Sequence, residues 1–333
     1  MAFFYFSFFL ICLSFLFFVY FFFSEEKSIL LIHSVVLTVY NAPFDVDLCL
    51  RSLASSLDFL QVELILVDDA SKQETQKILD DFIAQYPQAV LVRHAENKGY
   101  LHSVNDGIRH AHGDIVTLLN SDTFIPAGFS DRILACFASS GQIGVASPVL
   151  SHGNPFSVPI AKRMKQEFNS GTLPVLMDVL DKKAKNIVPR YPDIVFPDGA
   201  CFSIRRSCLE KVGNFREEYS PGYFEELDFC MRAHKNGFRC VFIENLYVYH
   251  KSHASFGKKR TSEYMARNKK RFYDDWGLEY KRLSALYPKK QHKKRVFCSF
   301  YSFGYYLFVE SLLKVSRIIP VSSVRRKIRA LYQ

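Results

Sequence analysis

From Ser34 to Leu119, short apolar runs alternate with stretches of helical spacing, and this rhythm limits the fold more than any other feature of the chain. Ser34–Tyr40 reads as a strand that stops at the turn Asn41-Ala42-Pro43. Asp45–Leu57 puts Val46, Leu50, Leu53 and Leu57 on one helical face. Val62–Val67 is a second strand. Ser71, with Glu74 three residues on, has the spacing of a capping box for a helix that reaches Tyr86-Pro87. Ala89–Arg93, a loop at Asn97-Lys98-Gly99, a helix through Val104 to Ala111 and a strand at Asp114–Leu119 complete the series. Short connections between such units predict an α/β fold, a doubly wound and mostly parallel sheet. The chain has no GxGxxG and no P-loop, which disfavours dinucleotide oxidoreductases and P-loop kinases.

In an open sheet of this kind the ligand crevice lies beyond the carboxyl ends of the strands. Acidic residues fall at those ends. Asp68 and Asp69 follow the second strand, and Asn120-Ser121-Asp122-Thr123 follows the fourth. Residues 151 to 197 then break the rhythm with repeated prolines, after which Phe196–Arg205 resumes as a strand. A helix around Ser207–Val212 follows, then one holding Glu225, Glu226, Asp228 and Arg232. Two short strands, Phe238–Ile243 and Leu246–Tyr249, end at His250. Transfer of a sugar from a nucleoside diphosphate needs a nucleobase pocket, a cation for the leaving diphosphate and a base for the attacking hydroxyl. Candidates occur in that order: Thr38, Tyr40 and Asp69 for the nucleobase, Asp122 for the metal, Glu226 for the proton.

Eight cysteines, at 12, 49, 136, 201, 208, 230, 240 and 298, form no CxxC pair and suggest small core residues in a reducing compartment. Charge is unevenly spread. Residues 251 to 333 hold 21 Lys and Arg against 5 Asp and Glu, a net of +16 in a chain of +10, so the first 250 residues carry −6. A basic tail on a mildly acidic body points to an anionic surface. Hydrophobic ends favour a membrane over nucleic acid. Residues 3 to 23 carry no charge and are long enough to span a bilayer, and no signal-peptide pattern accompanies them, so residues 1–27 are expected to be an uncleaved anchor. Residues 296 to 313 form a second apolar stretch, flanked by basic clusters at 289–295 and 325–329. Basic residues on both sides suggest an interfacial or re-entrant segment, with a helix packed on the catalytic core as the alternative. The charge distribution orients the body to the cytoplasm.

Taken together, Val39-Tyr40-Asn41, Val67-Asp68-Asp69-Ala70-Ser71, Asn97-Lys98-Gly99-Tyr100, Asn105-Asp106-Gly107-Ile108, Gly113-Asp114, Leu119–Thr123, Asp198-Gly199-Ala200-Cys201, Tyr223–Arg232, Gly237 and His250 resemble family 2 inverting glycosyltransferases of the GT-A fold. Their rhamnosyltransferase-like branch, which builds bacterial surface polysaccharides, is the nearest in pattern. The resemblance covers roughly residues 33 to 275, leaving 276–333 as a basic amphipathic C-terminal segment. It implies a nucleotide-sugar donor met by Thr38, Tyr40, Asn41, Asp68, Asp69, Lys98 and Ser121. It implies Mg²⁺ or Mn²⁺ at Asp122 with His250 nearby, and an acceptor region at Asp198, Gly199 and Ala200. Glu226 is the implied base beside Glu225, with Asp228 as the alternative. A lipid-linked or glycan acceptor and a single-pass inner-membrane location with the catalytic domain in the cytoplasm follow. Two positions depart from the family pattern: Asn120 opens the metal motif, and Glu226 stands where the pair usually has Asp. A catalytically impaired homologue, or a basic membrane-surface protein that binds nucleotide sugar without turnover, is the alternative.

Overall fold

The computed structural model describes residues 31–151, 173–251 and 258–287. The anchor at 1–27, the apolar stretch 296–313 and both basic clusters lie outside the described residues. Among the described residues no helix is long and apolar enough to cross a membrane.

The first half follows the sequence rhythm. Strands β1 (His33–Val39), β2 (Val62–Asp68), β3 (Val90–Arg93) and β4 (Ile115–Asn120) are joined by helices α1 (Pro43–Ser56), α2 (Gln73–Gln85) and α3 (Tyr100–His110). β1 pairs in parallel with β2 and β4, and β2 with β3. β1 and β4 are buried along almost their whole length, as expected of strands covered on both faces, so β-branched and leucine side chains fill them without alternation.

The second half is more mixed. It contains β5 (Thr123–Phe124), α4 (Phe129–Ala138), β6 (Ile143–Leu150), α5 (Leu173–Lys185), β7 (Cys201–Arg205), α6 (Arg206–Val212), α7 (Glu225–Lys235), β8 (Arg239–His250) and α8 (Lys258–Leu286). Strand order across the sheet is β3-β2-β1-β4-β7-β6-β8-β5. β7 runs antiparallel to both neighbours, β6 and β8 are parallel, and β5 is antiparallel to β8. The result is a mixed α/β sheet whose parallel part matches the expectation.

Four local expectations differ. The two short strands after Phe238 are one strand, β8, which absorbs the irregularity in a register shift opposite Pro148 and Val149. β7 starts at Cys201 rather than Phe196, because Asp198 Oδ1 accepts the Ala200 N–H (3.0 Å) and turns the chain there. Ser71 does not cap α2: its Oγ accepts the Asn41 N–H (2.8 Å), and the helix begins at Gln73 with no side-chain cap. Helix α8 runs through the expected boundary at 275/276. The six described cysteines are all buried and unpaired by disulfides, as small core residues.

Gly107 sets how closely α3 approaches the sheet. A Cβ there would lie 2.1 Å from Val36 Cγ1 and 3.2 Å from Val67 Cγ2. Alanine normally strengthens a helix interior by about 1 kcal/mol over glycine. Here the collision reverses the sign, and Gly107→Ala is expected to destabilise by about 1–3 kcal/mol, the usual cost of overpacking. A denaturant midpoint at or above wild type would refute this close packing.

Candidate active site

The register of the three central strands brings their ends together. Thr38 stands opposite Val67 on one side and Asn120 on the other. Just beyond it, Asn41 and Ala42 adopt left-handed backbone conformations (φ 56° and 57°). The Asn41 side chain accepts the Lys72 N–H at 2.8 Å, which ties the end of β1 to the loop after β2. Tyr40 is exposed.

Asp68 and Asp69 are buried and committed to the protein. Asp68 accepts the Ser71 N–H and the Arg93 Nε, both at 2.9 Å. With no exposure and both oxygens occupied, it serves the fold at the end of β2. Asp69 takes the backbone N–H groups of Lys98 and Gly99, each at 2.8 Å, and His94 Nδ1 at 2.8 Å. His94 Nε2 reaches Asp106 Oδ2 at 2.8 Å. The carboxylate of Asp69 thus shapes the 97–99 loop, and the loop, with its exposed Lys98, is what this position presents outward.

Asp122 sits in the turn between β4 and β5. Thr123 pairs with His250 across β5 and β8, which sets Asp122 Oδ1 3.3 Å from His250 Nε2. The Lys251 N–H donates to the Asp122 carbonyl at 3.0 Å, and Lys251 Nζ lies 2.5 Å from Asp45 Oδ1. Asp45, Asp122, Thr123, Tyr249 and Lys251 line a small cleft. Its acidity is visible in Tyr249, whose phenol is pushed up to about 12 by burial and by Asp122 and Asp45. Among the described residues no group of three His, Cys, Asp or Glu side chains converges as a complete metal cage. One carboxylate and one imidazole fit a cation that keeps waters and takes substrate phosphate oxygens, the usual mode for Mg²⁺.

Glu225 and Glu226 open α7 after a turn in which Tyr223 and Phe224 are left-handed (φ 72° and 73°). Burial pushes Glu225 well above the carboxylate range, and the neighbouring Glu226 charge adds to it. Glu226 is raised to about 7 by burial, with Asp198 contributing. Burial thus favours the protonated form of Glu225, whose buried Oε2 has no hydrogen-bond partner. Gly199 lies directly against this group: a Cβ there would fall 1.7 Å from Glu226 Oε1. Asn120 N–H donates to the Ala200 carbonyl at 3.0 Å, so the 198–200 segment connects the end of β4, two residues before Asp122, to Glu226.

Asp228 is elsewhere. It is fully buried, with Arg232 Nε at 2.8 Å, Trp276 Nε1 at 2.9 Å and Arg216 Nη1 at 3.2 Å. Three cationic or N–H donors hold it as an internal anchor. Ser121 is half-buried beside Asp122. Three residues were not anticipated. Tyr100, at the start of α3, has a phenol raised well above 10 by burial and then by Glu226, Glu225 and Asp198. Asp45 and Lys251 bracket the Asp122 cleft. Tyr100 closes the Asn97–Tyr100 motif and Lys251 follows His250 directly, so both signals were adjacent to residues already singled out.

The chain is similar to known proteins. The chain is 22% identical over 179 residues to a dolichol-phosphate mannosyltransferase of Pyrococcus furiosus, covering 54% of this chain and 47% of that one. It thus spans about half the length of that relative. It is 32% identical over 190 residues to an uncharacterized glycosyltransferase of Haemophilus influenzae, covering 54% and 72%. Among solved structures it resembles the mannosyltransferase PcManGT from Pyrobaculum calidifontis, in complex with GDP-Man and Mn²⁺, at TM-score 0.53 and 16% identity, over 90% of this chain and 79% of that one. That likeness supports a GT-A-like fold. The model described as Glycosyl transferase family 2 matches residues 34–213, from β1 through α6 and the acid-bearing ends of β2 and β4; on that match the chain belongs to glycosyl transferase family 2.

Proposed function

We propose that this chain transfers a sugar from a nucleoside-diphosphate donor to a hydroxyl acceptor, with inversion at the anomeric carbon. One observation carries the reading: a half-buried carboxylate with proton affinity near neutrality, Glu226, is linked through Gly199 and Ala200 to the strand end that bears Asp122. A base is most effective when its pKa lies near the working pH. Glu226 takes the proton of the acceptor hydroxyl as that oxygen bonds to the anomeric carbon. The bond from that carbon to the donor phosphate oxygen breaks, and its electron pair leaves with the diphosphate. Glu225, kept protonated by burial, adds no second negative charge beside Glu226. When bound, Mg²⁺ or Mn²⁺ would neutralise charge on the leaving diphosphate. Asp122 and His250 are the residues assigned to hold it. Thr38, Tyr40, Asn41, Lys98 and Ser121 form the donor bed, with Asp69 acting through the 97–99 loop. Asp198, Gly199 and Ala200 border the acceptor.

The finer reading places the chain in the rhamnosyltransferase-like branch, acting on a lipid-linked acceptor or a growing surface glycan at the cytoplasmic face of the inner membrane. The motif set supports the branch. The name of the archaeal relative supports a lipid phosphate acceptor. The charge-free segment at 3–23 supports a membrane anchor for the domain at 33–275, and the +16 of residues 251–333 supports docking of the segment at 276–333 on an anionic leaflet.

Four measurements test these assignments. Asp122→Asn is expected to cut turnover at least roughly 100-fold, as when several kcal/mol of charge stabilisation is lost; undiminished activity of the wild type in excess chelator would contradict it. Glu226→Gln is expected to lose about 10²–10⁴-fold in kcat with nucleotide affinity retained. In the wild type kcat/KM should rise with pH through an acid limb near about 7, since the base acts only when ionised. A flat profile from pH 5 to 8, a window of about three decades in proton activity, would reject Glu226 as the base. Deleting residues 1–24 should leave a protein that binds anionic vesicles and is released by high salt; loss of all vesicle affinity would remove the tail from the docking role.

A further inference from the structure

The turn that delivers Glu225 and Glu226 is held by a helix beyond the family-matched region. Asn268 on α8 has no exposure, and its Nδ2 donates to the carbonyls of Tyr219 (2.7 Å), Gly222 (2.8 Å) and Tyr223 (3.1 Å). Arg267 Nε donates to Asn268 Oδ1 at 2.9 Å, which fixes the amide with its N–H groups toward the turn. Arg267 also reaches the Ser220 carbonyl. Four residues on, Phe272 is fully buried with its ring centroid 5.6 Å from that of Phe224. Further along, Trp276 bonds Asp228 inside α7.

This brace acts on strained backbone. Tyr223 and Phe224 are consecutive non-glycine residues in the left-handed region. Such residues persist only where their surroundings enforce the conformation. Asn268 is the side chain that bonds the carbonyls entering this pair. We propose that Asn268 is a positioning residue, whose carboxamide holds the Tyr219–Phe224 turn so that Glu226 stays in its half-buried slot against Gly199. The proposal rests on Glu226 being the base.

The slot fixes what Glu226 faces: Glu225 and Cys230 on its own helix, Asp198 from the segment before β7, and Tyr100 from α3. None of these is a cation, and burial is the leading cause of its raised proton affinity. If the turn relaxes, water reaches Glu226 and its titration must fall toward the ordinary carboxylate value.

The test follows the Glu226 carboxyl carbon by NMR in the full chain labelled with ¹³C-glutamate, the signal being identified by its loss in Glu226→Gln. The wild type should titrate near about 7, Asn268→Ala toward 4.5, and Asn268→Ser, which keeps one donor, between them. With whichever of UDP-N-acetylglucosamine, UDP-galactose, GDP-mannose or dTDP-rhamnose is turned over, kcat of Asn268→Ala should fall about 10- to 100-fold, with the affinity for UDP or GDP and Mg²⁺ unchanged. A contact serving only stability would lower the melting temperature and leave the midpoint in place. If Asn268→Ala does not fold, Asn268→Ser alone decides. Midpoints equal to wild type in the folded variants overturn the proposal. Full turnover by Glu226→Gln, by contrast, would overturn the base assignment itself.

Discussion

Everything in the site depends on β1 lying in parallel register between β2 and β4. Parallel neighbours end on the same edge, so three separate stretches of sequence deliver their last residues to one place. The pairing is enforced by burial. Val35, Val36, Leu37, Leu64, Ile65, Leu66, Val116 and Leu118 are each at most 2% exposed, and a slip of one residue would swap each to the opposite face and break its fit with the layer it packs against. The antiparallel β7 then returns along β4, which is how Ala200 comes to bond Asn120 and how the segment touching Glu226 joins the strand end that bears Asp122.

The first half of the fold was legible because its signals are local. Apolar β-branched runs, helical spacing and turn residues each act within a few positions, and they mark β1 to β4 and the helices between them. The second half is set by distant partners. β5 is two residues long and exists only because β8 reaches it, and β8 reads as two strands until its irregularity is matched against β6. Ser71 illustrates a local rule overridden: its hydroxyl had a capping position available and instead serves a backbone N–H thirty residues upstream.

Site residues divide along the same line. Asp122 and the Glu225-Glu226 pair were legible from their places at a strand end and a helix start. Sequence alone did not distinguish Asp68 and Asp228, which are spent on Arg93, Arg216, Arg232 and Trp276, from carboxylates facing a ligand. Gly199 was visible as a glycine, but the reason for it, a carboxylate oxygen where its Cβ would be, appears only in three dimensions. Asn268 lies in a helix with a strongly charged surface, where one asparagine carries no outward mark.

The tether at Asp69 has a consequence for how such a site can diversify. It holds the 97–99 loop by the backbone N–H groups of Lys98 and Gly99, so the loop's shape does not depend on which side chain occupies position 98. That side chain is exposed. Structural duty and chemical character are thereby assigned to different atoms of one residue. Exchange at position 98 can alter the charge met by an incoming molecule while the scaffold beneath it stays unaltered, an arrangement that lets selectivity drift without a folding penalty.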